Sequence, residues 1–289
     1  MMKVGRLMSR KHLVLQSDFG LDDGAVAAMY GVAYSVAPNI TISNLTHGIN
    51  PYNVFDGSYR LIQTVNYWPE GTVFVSVVDP GVGTDRQSVV AKLKSGHYIV
   101  TPNNGTLSHV HKYIGLESLK EIDETVNRLA HSEGSHTFHG RDIYVYNGAL
   151  LAEDETYYDQ LKAIPLNSLE SLELLDPNSD GQTRIEGVID IFDIRFGSLW
   201  TNIPARLLKE LSIQSGDQVK VTIEHDGVQR YQNYMRFGHS FADVQVGEPI
   251  AYINSLLHLG IAINQKSFSE TYNIGRGNDW LILIEKVGK

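Results

Sequence analysis

Apolar residues in the first half of the chain come in short solid blocks rather than at helical spacing. The most uniform is TVFVSVV at 72–78, rich in β-branched residues. It reads as a strand buried on both faces, the central strand of a parallel sheet. Shorter blocks at 12–16 (HLVLQ), 41–45, 88–93 and 97–101 predict further strands, the last two flanking a KSG turn. Helical stretches fall between them: from residue 25 until Pro38 stops it, from 53 to 67 just before Trp68-Pro69, from the turn at Pro102 to Gly105 through Tyr113, and from 137 through Leu151. This βαβαβ alternation predicts a doubly wound, mostly parallel α/β sheet. From about 161 to 184 the pattern breaks down into Pro165, Asn167-Ser168 and a run at Asp176 to Gly181. Strand-length segments then follow at 185–194, 218–225, 229–236, 249–254, 260–264 and 280–286, with a turn at Asp226-Gly227, and read as antiparallel. The expected organisation is an α/β domain over 11–162, a linker over 163–184 and a β-rich domain over 185–289.

Polar residues are placed where these blocks end. The central block stops at Asp79-Pro80, because proline has no N–H for the ladder, and the loop PGVGTD then carries Arg86 back toward it. Other blocks end at Asp18, His47 and Asn103-Asn104. In open α/β sheets ligands bind at that edge. An Asp/Arg pair can equally be a structural ion pair. Asp22 and Asp23 lie where acids favour a helix N-terminus, and helix capping suits one of them. His139 precedes a helix and could face a cleft, with His136 as its rival, while Arg141 and Asp142 could pair locally. The second half has its own polar and aromatic clusters. They are Asp193, Phe196, Trp200 and Asn202 in DIRFGSLWTNI, and Tyr252, Asn254 and Ser255 in YINS.

Composition narrows the classes. A chain of 289 residues can bury a sizeable core. A formal net charge of −9 argues against nucleic-acid binding and suits a cationic substrate. There is no cysteine, hence no disulfide framework, thiolate metal site or cysteine nucleophile. No apolar run approaches about 18 residues, and the basic start MMKVGRLMSRK lacks the apolar segment of a signal peptide, so a soluble cytoplasmic protein is expected. Neither G-x-G-x-x-G at the first βα turn nor G-x-x-x-x-G-K-[ST] occurs, which weakens a dinucleotide or triphosphate reading.

SDFGLDD, THGINPYNV, FVSVVDPGVGTDR, TPNNGTL, TFHGRD, FGSLWTNI and YINS, in this order, resemble the S-adenosyl-L-methionine hydroxide adenosyltransferases, the adenosine-forming hydrolases related to the bacterial fluorinase and chlorinase. The likeness runs from about Leu13 to Val287. It implies an N-terminal Rossmann-like domain, a C-terminal β-barrel-like domain, and a homotrimer with sites at subunit interfaces. It implies a catalytic trio of Asp79, Arg86 and His139, which activates water to attack C5′ of the ribose and releases adenosine and L-methionine. No metal or other cofactor is implied, and S-adenosyl-L-methionine enters as substrate.

The resemblance also distributes the binding roles. Asp18 would take the ribose hydroxyls, and Asp23 and Asp193 the methionine ammonium. Ser255, beside Asn254, would take the carboxylate. Phe138 and Phe196 would pack near adenine and Tyr52 near the sugar, with Trp200, Asn202 and Tyr252 shaping the wall. Two departures bear on adenine recognition. Ser198 stands where the family usually has Asn, and the segment after Ser255, LLHLGIAINQKSFSE, leaves the family pattern. The competing readings are a sensor of S-adenosylmethionine or adenosine that needs no trio, and a halogenase. Against the halogenase, Asp79 would repel a halide and Val82 offers it no hydrogen bond.

Overall fold

The computed structural model describes residues 12–287. The basic stretch 1–11, which includes the first residue assigned above to the α/β domain, lies outside them, as do the last two residues. The chain divides into two compact units, one ending at Leu172 and the other beginning at Glu173. No helix among the described residues is long and apolar enough to cross a membrane.

In the first unit the elements are β1 (His12–Ser17), α1 (Ala25–Val36), β2 (Thr41–Thr46), α2 (Val54–Ile62), β3 (Val73–Val77), β4 (Ser88–Leu93), β5 (Tyr98–Pro102), α3 (Ser108–Tyr113) and β6 (Leu116–Ile122). A π-helical stretch (Gly140–Val145), α4 (Tyr146–Glu153), α5 (Tyr157–Gln160) and β7 (Lys162–Ile164) complete it. The strands form one sheet in the order β2-β1-β3-β5-β4-β6-β7.

β3 is buried along its whole length, as a central strand must be when both faces are covered. Alternate residues feed two cores. Leu13, Leu15, Val73, Val75 and Val100 pack with Met29 and Ala33 of α1 and with Ala149 of α4. Val14, Phe74, Val89, Ala91 and Ile99 pack with Leu61 of α2 and Val110 of α3. The sheet is thus doubly wound, with helices on both faces. Gly148 lets α4 lie close on β3, since a Cβ there would meet Val75 Cγ2 at 2.4 Å.

The expectation of a mostly parallel sheet needs correction. β1–β2, β1–β3 and β3–β5 are parallel, but β5–β4, β4–β6 and β6–β7 are antiparallel. The cause is the KSG turn, in which Gly96 takes φ +79°. A connection this short joins antiparallel neighbours only, so β4 runs against β5, and beyond it the direction alternates again at β6 and β7. β6 and β7 escaped the pattern reading because LESLKEI mixes charged and apolar positions. β7 crosses from the last residue of the expected α/β domain into the expected linker.

His109 of α3 is buried against edge-on Phe55 and Tyr59, and its Nδ1 lies 2.8 Å from Ser58 Oγ. Burial and the nearby Lys112 charge push its pKa down to about 3. The unfolded ring titrates near 6.5. Between these values the unfolded chain binds a proton that the native chain refuses. Stability from this ring is therefore complete above about pH 6.5 and drains as pH falls toward 3. By pH 4 it should cost roughly 3 kcal/mol. Urea unfolding at pH 7 and pH 4 should show a smaller acid loss in His109→Gln than in the wild type, and equal losses would refute this account.

The second unit contains β8 (Asn178–Ser179), β9 (Arg184–Asp193), β10 (Ser198–Pro204), α6 (Ala205–Glu210), β11 (Gln218–His225), β12 (Val228–Phe237), β13 (Pro249–Ile253), β14 (His258–Ile263), α7 (Phe268–Tyr272) and β15 (Gly277–Lys286). Strands β10-β14-β13-β12-β11-β15-β9 follow one another, and β9 pairs back onto β10, closing a seven-stranded barrel with β8 added on β9. Ile189, Leu199, Val221, Ile223, Ile261 and Phe268 are among the residues that fill it. The all-antiparallel expectation fails at one place, since β12 and β13 pair in parallel. Residues 238–248 between them are too long for a hairpin and loop back so that Ile250 lies beside Arg236 and Ala251 beside Phe237, at the carboxyl end of β12.

Candidate active site

β1, β2, β3 and β5 point the same way, so their carboxyl ends share one edge of the first sheet. Because β4 runs against β5 and β6 against β4, the start of β4 and the end of β6 come to that edge too. Asp18, His47, Asp79, Asn103 and Asn104 leave the sheet there, Arg86 enters it, and Glu124 follows β6.

The three residues expected to be catalytic, Asp79, Arg86 and His139, meet at this edge. Arg86 Nε donates to Asp79 Oδ1 at 2.9 Å and Nη2 to Oδ2 at 2.6 Å, a two-pronged charge-assisted contact. The same Nη2 lies 2.9 Å from His139 Nδ1. Arg86 Nη1 donates to Glu124 Oε1 at 2.6 Å and to Ser88 Oγ at 3.1 Å. Ser88 Oγ donates to Glu124 at 2.5 Å and stands 2.9 Å from the buried Tyr144 hydroxyl, which reaches Asp79 Oδ2 at 3.3 Å. The side chains of Arg86 and Asp79 are only 10% and 5% exposed.

The local chain explains the placement. Asp79 ends β3, and the turn after it is closed by Val82 N–H donating to the Asp79 carbonyl and Thr84 N–H to the Gly81 carbonyl. Residues 82–85 are exposed, and the chain is buried again from Ser88. His139 is the last residue before the π-helical stretch, an irregularity common at functional sites. It is buried, whereas His136 is exposed, so His139 and not its neighbour joins the group.

The charge states follow. Burial works against the Arg86 cation, but the hydrogen bond to Asp79, the fields of Tyr144 and Asp79 and the bond to Glu124 hold its pKa above the ordinary value. Burial raises the Glu124 pKa, yet Ser88 and Arg86 outweigh it and keep the carboxylate ionised. Burial lowers the His139 pKa, and the Arg86 charge adds to this against the opposing pull of Glu124 and Asp79. The neutral ring must accept at Nδ1, because Arg86 can only donate. Its one proton then sits on Nε2. That atom is buried and has no hydrogen-bond partner among the described residues, so the ring keeps one unused donor.

Around this group Asp18 Oδ2 accepts the N–H of Tyr52, which is 73% exposed and holds φ +68°. Phe138 packs edge-on to Phe19 at 5.8 Å and under the Arg141 guanidinium. Asp23, expected at a ligand ammonium, makes a local bond: its Oδ1 accepts the N–H of Ala25, the first residue of α1. Asn103 and Asn104 hold Ser168, Glu170 and Val78 backbone groups, His47 is tied to Ser17 and Asn44, and Arg141 pairs with Asp142. These serve the frame.

In the second unit Phe196 caps the tight β9–β10 turn, 68% exposed, and Asp193 opens it. Gly197 there takes φ +64° against Ser267, where a Cβ would sit 1.9 Å from Oγ. A cavity of about 570 Å³ is lined by Phe196, Ser198, Phe241, Asn264, Gln265 and Lys266. It therefore joins Ser198 to the divergent segment that follows Ser255. Trp200 Nε1 donates to the Tyr252 hydroxyl at 3.1 Å, both residues being buried. Burial pushes the Tyr252 pKa up against its bonds to Trp200 and Ser198. Asn202, expected on the ligand wall, is engaged within its own unit, donating to the Leu175 carbonyl and accepting from Val188 N–H. Asn254 Oδ1 accepts the N–H of Leu256 and His258 while its buried Nδ2 has no partner among the described residues, and the adjacent Ser255 is exposed.

Profiles of the SAM hydroxide adenosyltransferase N-terminal and C-terminal domains match residues 13–161 and 187–281. The chain belongs to the SAM hydroxide adenosyltransferase family. Within that family it is 32% identical over 266 residues to the (R)-S-adenosyl-L-methionine hydrolase of Thermus thermophilus, covering 90% of this chain and 95% of the relative. It is 28% identical over 288 residues to the fluorinase of Actinoplanes, covering 92% and 95%. A crystal structure of an uncharacterized conserved protein from Thermotoga maritima superposes with a TM-score of 0.85 at 30% identity, covering 94% of this chain and 99% of that one. Sequence reading missed Glu124, Tyr144 and Ser88. The one available signal was for Glu124, an acid just after an amphipathic stretch, and it required β6 to be recognised as a strand.

Proposed function

We propose that this chain hydrolyses S-adenosyl-L-methionine to adenosine and L-methionine. The observation that carries this is the buried Asp79–Arg86–His139 group, with its unpartnered Nε2–H, in a chain of this family. A water oxygen bonds to C5′ of the ribose. The C5′–S bond breaks, and its electron pair neutralises the sulfonium as methionine thioether. One water proton must leave. Arg86 has no lone pair for it, and His139 Nδ1 faces Arg86 while Nε2 is already protonated. Asp79 is left to take it, with His139 Nε2–H and Arg86 orienting the water. Asp18 serves the ribose and Asp193 and Asp23 the ammonium. Ser255 with Asn254 serves the carboxylate, and Phe196, Phe138 and Tyr52 supply the apolar walls. A homotrimer, which the resemblance implies, and a cytoplasmic location belong to the same reading.

The fluorinase relatives make halide transfer the second reading. A carboxylate at Asp79 disfavours a halide in the same place, and Val82 has no hydrogen-bond donor on its side chain. The decisive experiment is incubation with S-adenosylmethionine in ¹⁸O-water containing fluoride and chloride. Adenosine bearing one ¹⁸O at the 5′ oxygen is expected. A 5′-halogenated adenosine would establish the second reading, and binding without any product would make the protein a sensor. Turnover should survive chelator, since the guanidinium at the centre of the group offers no lone pair to a cation. Loss with chelator and recovery with one added metal would overturn this.

A further inference from the structure

Glu124 touches two members of the proposed trio. Its Oε1 accepts from Arg86 Nη1 at 2.6 Å and its Oε2 lies 3.4 Å from His139 Nδ1. The guanidinium is a rigid plane with donors on fixed edges. One edge meets Asp79, the outer Nη2 hydrogen meets His139, and among the described residues Nη1 is held by Glu124 and Ser88. Ser88 in turn donates to the same Glu124 oxygen. Without Glu124, Nη1 keeps only the longer contact to Ser88, which has itself lost its anchor on that carboxylate, and the plane is held less firmly about its Asp79 edge. The carboxylate is 26% exposed and borders a cavity of about 630 Å³, whose lining includes Arg86, Ser88, Asn127, Tyr157 and Lys162. Its contact with the His139 ring is made at Nδ1.

We propose that Glu124 is a positioning residue of the hydrolytic group: it braces Arg86 from behind, so that one guanidinium plane meets Asp79 and His139 together. This rests on the hydrolase reading for its kinetic consequence but not for its structural one. A simple loop staple would give stability alone. A brace changes how the reacting water is held, and small misplacements there lower turnover steeply.

Two readouts test it. In steady-state kinetics Glu124→Ala should lose about tenfold or more in kcat with KM within about twofold. Glu124→Gln, which keeps an oxygen for Nη1, should recover part of the loss. In ¹⁵N NMR of the substrate-free protein, the Arg86 Nη1 and Nη2 signals should be separate in the wild type, identified by their loss in Arg86→Lys. They should merge through faster rotation in Glu124→Ala. Folded Glu124→Ala with kcat within twofold of wild type, or with unchanged Arg86 signals, overturns the proposal. If Glu124→Ala does not fold, the near-isosteric Glu124→Gln carries both tests, with reduced kcat and faster rotation expected and wild-type values overturning. A wild type inert toward S-adenosylmethionine would sink the hydrolase reading while the NMR arm still decides the brace.

Discussion

Asp79→Asn is expected to lower kcat by at least about 10²-fold with little change in KM, the scale of lost acid–base help. The amide is nearly isosteric, so the end of β3 keeps its shape. It cannot take a proton, and its NH₂ can face Arg86 only as a second donor. Binding groups such as Asp18 and Phe196 are untouched, which is why KM should hold. His139→Ala should fall by a similar factor through loss of the Nε2–H, and the double variant should lose far less than the product of the two, because groups acting as a unit are not additive. Single-turnover rates on the three variants decide the matter. Near-normal chemistry in folded Asp79→Asn would remove Asp79 as the base.

Arg86→Ala should fail in two ways at once. Turnover should drop with the trio, and unfolding stability should fall by about 3–5 kcal/mol, the cost of removing one partner of a buried pair. Asp79, with a side chain 5% exposed, and Glu124 would both lose their cation. Arg86→Lys should rescue little, since a single ammonium cannot occupy the Asp79, Glu124 and His139 edges together. If the pair existed only to order the loop, the folded fraction of Arg86→Ala would turn over normally. Thermal unfolding and single-turnover rates measured on one preparation separate these outcomes.

The first half of the fold was legible because β1, β3, β4 and β5 are buried almost throughout and read as solid apolar blocks, and because helix breakers such as Pro38 and Trp68-Pro69 punctuate them. Asp79 was legible as the polar residue that ends a block, whereas Arg86 in the loop after it and His139 before a helix were singled out as its catalytic partners only through the resemblance. Glu124 was not, because β6 alternates charge with apolar residues and hides as an exposed stretch. Tyr144 was hidden for the opposite reason: in DIYVY it reads as one more core residue, and only the π-helical stretch aims its hydroxyl at Ser88 and Asp79. In the barrel, 198–204 was read for its functional side chains rather than as strand β10, although its Trp200 and Thr201 are buried strand residues. The parallel β12–β13 pairing has no local signature at all, since it depends on where a long connection returns.

The route between Asp79 and Arg86 skips a strand. β3 and β4 are consecutive in the chain, yet β5 lies between them in the sheet, so residues 78–87 pass over the end of β5 across two strand spacings, about 10 Å. The carboxylate and the guanidinium are thus rooted in separately buried strands, and the exposed residues 82–85 merely bridge them. Such a bridge can be recut, lengthened by a residue or exchanged for another turn while its two abutments stay in place. Variation in a lineage built on this scaffold can therefore collect in the bridge, altering what approaches the reacting carbon without dismantling the ion pair beneath it.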